Sequence, residues 1–356
     1  MNNKNIFLLL FIFNFLPLYL IGQDDYVVNQ AKFLQKSNPS FYGMNQLNRV
    51  GVLYNSIRVN DNIGMDNKFI FGSIAFQDKN FSLGFDINSF KLNTIGLTNS
   101  FATATFVYKI QLGNYLFLLP AISASWISSR VNPDNLTFGD QLDISGFEAS
   151  TSGDPLAGNL PSVGEYDMGA SFIIHNEFFL AGLSLKHLAQ PNMSFNQEAE
   201  DILPIRVSLQ AGYEFEINPY ERSYLPRYSY LYTFINAVKY GESIYIGLGE
   251  EFQLGEFAIG FTQQVSMIKS ITKTPADRTA GSPGTESQSF SLNNIGVTLG
   301  MALENFDFGI NYNFPNRTPG KVFSPSIFEL SIIFDFSIYR RNNRGLYKKL
   351  QIDNYY

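Results

Sequence analysis

Two segments near the end of the chain alternate strictly between large apolar and polar residues. From 306 to 314 every second residue is Phe, Ile or Tyr, with Asp, Gly and Asn between them, and the same period returns from 328 to 336. A period of two indicates strands with one apolar and one polar face. Soluble β-sandwiches alternate as well. The aromatic weight of one face, with carboxylates and Gly on the other, favours strands that separate lipid from a wet lumen.

Runs of this kind recur from Leu47 onward, with turns between them. The run 205–217 is among the clearest, whereas 95–110 alternates poorly and Pro120 falls where a ladder donor is expected. One face of a further run consists of Tyr228, Tyr230, Tyr232 and Phe234. We predict about fourteen antiparallel strands, an even number, as in bacterial outer-membrane barrels. These strands are 47–57, 67–76, 80–89, 95–110, 114–130, 164–175, 177–188, 203–217, 225–240, 243–252, 256–267, 291–303, 306–314 and 326–337.

Short and long connections between the predicted strands alternate along the chain. Those after even-numbered strands are mostly tight, for example 253–255, and those after odd-numbered strands include the long segments 131–163 and 268–290. Short periplasmic turns opposite long extracellular loops are typical of outer-membrane barrels. The sequence therefore predicts an all-β, multi-pass barrel in the outer membrane with its long loops outside the cell.

Composition agrees with a barrel. Aromatic residues make up 15% of the chain, with Phe 34 and Tyr 20, while charged residues make up only 16%, below the usual quarter of a soluble domain. No apolar run long enough for a membrane helix follows the N-terminal region. The net charge of −6 argues against a nucleic-acid partner. With Cys 0, the chain has no disulfide framework and no thiol chemistry.

The chain divides into four predicted parts. Residues 1–22 have the charged, apolar and small-residue regions of a secretory signal peptide. Residues 23–46 form an N-terminal periplasmic arm, which is either flexible or tucked into the barrel. The barrel itself covers 47–337, and a basic periplasmic tail covers 338–356.

Candidate chemistry is sparse. The two histidines, His175 and His187, have no neighbouring residues at metal-ligand spacing, and no motif announces a catalytic triad. We therefore expect no enzyme, no metal and no cofactor. Charged residues on the predicted lumen faces line a conduction path or form a compensating network, and their mixed signs favour the network. They are Arg206, Lys186, Asp86, Asp167, Glu214, Glu216, Glu329 and Asp335.

The tail differs in character from the barrel because basic residues crowd it. It is either a solvated end or a docking peptide for an acidic periplasmic partner. The candidate docking residues are Arg340, Arg341, Arg344, Lys348 and Lys349.

Several segments, in order and spacing, resemble the PorP/SprF family of type IX secretion system membrane proteins. The most specific is Phe179-Leu-Ala-Gly-Leu-Ser-Leu-Lys-His-Leu-Ala-Gln-Pro191. Asn38-Pro-Ser-Phe-Tyr-Gly43 lies near the predicted mature N-terminus. The others are Ile95-Gly-Leu-Thr98, Val107-Tyr-Lys-Ile110, Ile295-Gly-Val-Thr-Leu-Gly300 and Phe328-Glu-Leu-Ser331. The chain departs from the family at Ser40-Phe41-Tyr42, where members often have Ala followed directly by an aromatic residue, and in the Pro120 strand.

The resemblance implies a non-enzymatic barrel that assists secretion or surface anchoring of large cargo proteins such as adhesins, in some members for gliding. Its expected partners are outer-membrane lipid, type IX secretion components and a secreted surface protein. The alternative is a porin, or a plugged channel for small or hydrophobic solutes.

Overall fold

The structure of the protein is a computed structural model. It describes residues 34–44, 48–58, 64–76, 79–132, 136, 139–141, 152–153, 162–195, 200–218, 224–226, 229–241, 243–272, 285–303, 305–316 and 325–336. For residues 243, 267–272 and 285–291 it describes the backbone alone. The predicted signal peptide 1–22 and basic tail 338–356 lie outside the described residues.

The chain forms one long succession of antiparallel strands. They are β1 (Asn48–Arg58), β2 (Gly64–Phe76), β3 (Phe81–Leu92), β4 (Leu97–Tyr108), β5 (Ile110–Gln111), β6 (Phe117–Arg130), β7 (Val163–His175), β8 (Phe179–Lys186), β9 (Arg206–Glu216), β10 (Tyr230–Tyr240), β11 (Ser243–Leu254), β12 (Phe257–Thr272), β13 (Thr285–Leu303), β14 (Phe306–Pro315) and β15 (Ser326–Phe336). Consecutive strands pair, except that β4 and β5 both pair with β6 and not with each other, and β15 pairs with β1 from Asn48↔Phe336 to Arg58↔Ser326. This last ladder closes the barrel.

The prediction of fourteen strands is confirmed. Strands β4 and β5 are two parts of a single barrel strand, because both pair with β6 and only Lys109 separates them. Each predicted strand has a counterpart, and the hairpin of β12 and β13 is longer than predicted. Among the residues that the structure describes, no helix has the length and apolar character to cross a membrane.

The break between β4 and β5 explains how Pro120 is accommodated. Pro120 lies within β6 and pairs with Phe172 of β7, whereas the ladder to the other neighbour stops at Val107↔Ala121 and resumes at Ile110↔Leu118. Because proline has no N–H to donate, it is tolerated where the neighbouring strand is interrupted.

The alternation of side chains separates two surfaces. In β14, Ile310 and Phe314 are 48% and 55% exposed, whereas Asn311 and Asn313 are fully buried. The predicted apolar face therefore points away from the barrel, and the polar face lines its interior. The aromatic face of β10 does the opposite, since Tyr230, Tyr232 and Phe234 are buried in the interior.

Candidate functional site: the luminal plug

The described part of the N-terminal arm lies inside the barrel. Helix α1 (Leu34–Ser37) is followed by a short 3-10 helix, Pro39–Gly43. We call Leu34–Met44 the plug. It contacts β2, β3, β4, β6 and β7, and most of its side chains are buried. The arm was predicted to be either flexible or tucked into the barrel, and residues 34–44 are tucked into the barrel.

The sequence of the plug accounts for its local shape. Asn38 has the extended backbone that a residue before proline favours, with φ −140 and ψ 109. Its side-chain oxygen accepts a hydrogen bond from the Ser40 amide at 3.0 Å, which caps the 3-10 helix. Pro39 stands at the first helical position, where no donor is needed. The Asn-Pro step therefore ends α1 and starts the next turn.

Asn38 also joins the plug to the barrel wall. Its Nδ2 donates to Gln210 Oε1 of β9 at 2.9 Å. Longer contacts reach the carbonyl oxygens of Phe172 at 3.3 Å and Leu183 at 3.4 Å. The side chain is completely buried, so one amide connects the plug to three strands. Buried amides are costly unless they are hydrogen-bonded, and this one is satisfied only when the plug is in place.

Two hydroxyl groups add polar contacts on the same segment. The Ser40 hydroxyl lies 2.7 Å from that of Ser171 in β7. The Tyr42 hydroxyl donates to Asp86 Oδ2 of β3 at 2.9 Å. Burial, followed by the nearby Asp86 charge, raises the pKa of the Tyr42 phenol well above its ordinary value. The phenol therefore stays protonated and remains a donor.

Glycines in the wall make room for the plug. A Cβ at Gly84 of β3 would overlap the ring of Tyr42, and a Cβ at Gly182 of β8 would lie 2.8 Å from Asn38 Nδ2. Apolar wall residues complete the packing around Phe41 and Tyr42. They include Leu53, Phe69, Phe71, Val107, Leu119, Ile173 and Leu180. This packing fills the part of the lumen that surrounds Phe41 and Tyr42.

The predicted lumen charges are engaged in local contacts. Lys186 Nζ donates to the backbone oxygen of Lys36 in the plug at 2.7 Å. Arg206 donates to the Tyr245 hydroxyl at 2.9 Å, and Arg49 forms a two-point contact with Asp335, both distances being 2.6 Å. Of these contacts, only that between Arg49 and Asp335 joins opposite charges, whereas Lys186 and Arg206 donate to neutral groups. Of the eight predicted positions, Glu216 differs in being exposed at its strand end.

The two histidines have different surroundings. The ring of His187 lies 2.9 Å from Asp167 Oδ2 and faces Tyr240 edge-on. His175 is 1% exposed and stacks on Phe117. Among the described residues, no three His, Cys, Asp or Glu side chains are grouped so that they could hold a metal ion.

The side of the lumen formed by β9–β15 is closed by aromatic and amide side chains. Tyr232 and Phe234 occupy the spaces above Gly212 and Gly249. Hydrogen bonds run from Asn311 to Asn313, from Asn313 to Asn294 and from Asn294 to Gln264, at 2.8, 2.7 and 3.1 Å. Inward glycines opposite aromatic rings are the sequence signal that would have identified this face as luminal.

The five basic residues predicted for partner docking, Arg340 to Lys349, lie outside the described residues. The plug takes their place as the candidate site in the described structure. It contains one of the segments that carry the family resemblance, Asn38–Gly43. The second such segment, Phe179–Pro191, lies against it through Gly182 and Lys186.

A closed, fourteen-stranded barrel with apolar side chains outside and a filled polar interior defines the class of protein: a transmembrane β-barrel of the outer membrane. The chain belongs to the type IX secretion system membrane protein PorP/SprF family, whose model matches residues 22–334. Among curated protein sequences, none matches the chain significantly.

Solved structures resemble the chain only distantly. The TodX monoaromatic hydrocarbon channel deltaS2 mutant is 10% identical with a TM-score of 0.47, over 88% of this chain and 95% of that one. A Pseudomonas aeruginosa FadL homologue is 9% identical with a TM-score of 0.44, over 86% and 94%. The KdgM porin is 8% identical with a TM-score of 0.33, over 80% and 99%. No functional argument follows from likenesses at this level.

Proposed function

We propose that this barrel assists the secretion or surface attachment of a large cargo protein, such as an adhesin, by acting as a platform in the membrane rather than as a conduit. The observation that carries the proposal is the plug. In the part of the chain that the structure describes, Tyr42, Asn38 and their apolar neighbours occupy the lumen and obstruct the path that an unfolded polypeptide would need. Contacts with cargo and with other secretion components would then involve the loops, the tail or the rims.

The proposal assigns the barrel no catalytic role. Within the described residues, His187 lies against Asp167 and His175 stacks on Phe117, and neither contact joins a histidine base to a serine or threonine hydroxyl. The alternative function, a solute channel, would require the plug to leave or to rearrange.

A disulfide that fixes the plug in the lumen would distinguish the platform function from the conduit function. The Ser40 and Ser171 hydroxyl oxygens are 2.7 Å apart, a spacing compatible with a disulfide, and the chain has Cys 0. The variant S40C/S171C would tie the plug to β7 when oxidised. The matched control, T103C/S125C, ties β4 to β6 through a pair whose oxygens are 3.0 Å apart.

In a host lacking the native gene, we expect the oxidised S40C/S171C barrel to restore cargo secretion and surface display as well as the control does. We also expect little steady conductance from it in planar bilayers. Loss of secretion on oxidation, restored by a reductant and absent from the control pair, would refute the platform and favour a channel whose plug must move.

A further inference from the structure

A cavity of about 320 Å³ lies in the lumen beside the plug. Its wall is largely apolar, and its lining includes Ile57, Met65, Phe90, Leu97, Phe101, Ile127, Met193, Leu203 and Tyr240. A smaller space of about 90 Å³ continues from it toward Lys36 and Pro39 of the plug. Asn88, Phe101, His187 and Arg206 line both spaces, so the two form one site whose base is the plug.

The segment that follows β8 forms one wall of this site and is held in place by backbone hydrogen bonds. His187 has a positive φ of 60 and Gln190 one of 47, and the Leu188 amide donates to the Met168 carbonyl at 3.0 Å. Further along, the Met193 amide donates to the Asp201 carbonyl at 2.8 Å. These bonds hold Met193 and Leu203 against the cavity, and Met193 is only 8% exposed.

The charges around the two spaces offset one another. Lys36, Lys186 and Arg206 contribute three positive charges, and Asp86, Asp167 and Asp201 three negative ones, so the formal sum is 3 − 3 = 0 with His187 neutral. Several of these charges also have a local contact: Lys186 donates to the backbone oxygen of Lys36 and Arg206 to the Tyr245 hydroxyl, while Asp86 accepts from Tyr42 and Asp167 lies against His187. Because the formal charges of the lining cancel, a charged ligand would meet no excess of the opposite charge, and uncompensated buried charge is strongly unfavourable.

We propose that this cavity binds a small, neutral, largely apolar molecule of the size of a substituted benzene. A cavity of about 150 Å³ with aliphatic and aromatic walls is enough for benzene, and ligand sites begin at about 300 Å³. The few polar groups on the wall, among them Asn88 and the hydrogen-bonded pair Ser129 and Asn99, suit one hydroxyl group. The plug closes the path below, so the molecule is held and not passed on.

The test compares three probes of one shape by calorimetry on the full-length protein in lipid nanodiscs, with empty nanodiscs subtracted. The probes are neutral 3-phenylpropanol, anionic 3-phenylpropionate and cationic 3-phenylpropylammonium. We expect saturable binding of the alcohol, with each ion at least tenfold weaker. Equal or tighter binding of either ion would overturn the proposal, as would no saturable binding of the alcohol.

A pair of variants locates the binding. Leu97→Trp fills the cavity from β4, while Ala104→Trp adds the same indole to the exposed outer face of that strand. We expect L97W to abolish alcohol binding and A104W to leave it unchanged, with both barrels migrating as folded on unheated gels. Undiminished binding by folded L97W would place the alcohol elsewhere and refute the site. If L97W does not fold, Leu203→Phe on the facing loop serves as the filling variant.

Discussion

Replacing Asn38 by Ala removes the polar anchor of the plug while leaving the barrel strands intact. The loss comprises two well-formed hydrogen bonds, to Gln210 at 2.9 Å and from the Ser40 amide at 3.0 Å. Two longer contacts, to Phe172 and Leu183, are lost as well. A buried hydrogen bond contributes about 1 kcal/mol net, and a stranded partner adds to the penalty. The plug should therefore be destabilised by about 2–4 kcal/mol.

The consequence can be measured with a cysteine at Ser40, which is completely buried. In a purified S40C barrel, maleimide reaches residue 40 only when the plug opens. A shift of about 2–4 kcal/mol in the opening equilibrium corresponds to labelling about 30- to 700-fold faster, provided that reclosing outpaces labelling. The matched control is Asn311→Ala in the same background, because Asn311 is also completely buried but bonds only to Thr298 and Asn313 in the described structure.

The reasoning fails if N38A labels no faster than the S40C parent. Such a result would mean that the apolar contacts of Phe41 and Tyr42 hold the plug without help from the amide. Labelling that rises equally in both variants would indicate general loosening of the barrel instead.

Further expectations concern the wall, the closing ladder, the topology and the tail. Gly84→Val should displace the Tyr42 ring and lower the temperature at which the folded gel band is lost, whereas Gly72→Ala, with its nearest neighbour 3.8 Å away, should not. Arg49→Gln removes the partly exposed ion pair with Asp335 at the closing ladder. The free energy of unfolding in urea should fall by roughly 1–2 kcal/mol, and an unchanged midpoint would contradict this expectation. On intact cells an impermeant reagent should label cysteines at Gly153 and Gly284 but not at Asn176, and the reverse pattern would invert the topology. Removing 342–356 should leave insertion normal but reduce cargo display and co-purification of a periplasmic partner, and full display would show the tail to be only a solvated end.

The sequence was sufficient for the barrel because local alternation determines which face of a strand meets lipid. Ile310 and Phe314 on one face and Asn311 and Asn313 on the other needed no tertiary information. The inward aromatic face of β10 was beyond that reasoning, since Tyr232 and Phe234 are placed by glycines on the neighbouring strands β9 and β11.

The plug could not be distinguished from a flexible arm for a related reason. Its segment is short and mixes polar residues with Leu34, Phe41, Tyr42 and Met44, so its composition alone does not distinguish burial from exposure. The partners that satisfy it are far along the chain: Ser171 is 131 residues from Ser40, and Gln210 is 172 residues from Asn38. Burial of such a segment depends on pairs that only the folded barrel brings together.

The same separations bear on the order in which the molecule assembles. The plug precedes β1, and its contacts with the wall include β2, β3, β4, β6, β7 and β9. The closing ladder joins β1 to β15, with Arg49 and Asp335 286 residues apart. A growing open sheet can therefore curl around the N-terminal segment before its two edges meet. Enclosure by edge closure requires no threading of the chain through a finished ring. Packing against Tyr42 and Asn38 would also hold the early strands together before the later strands have paired.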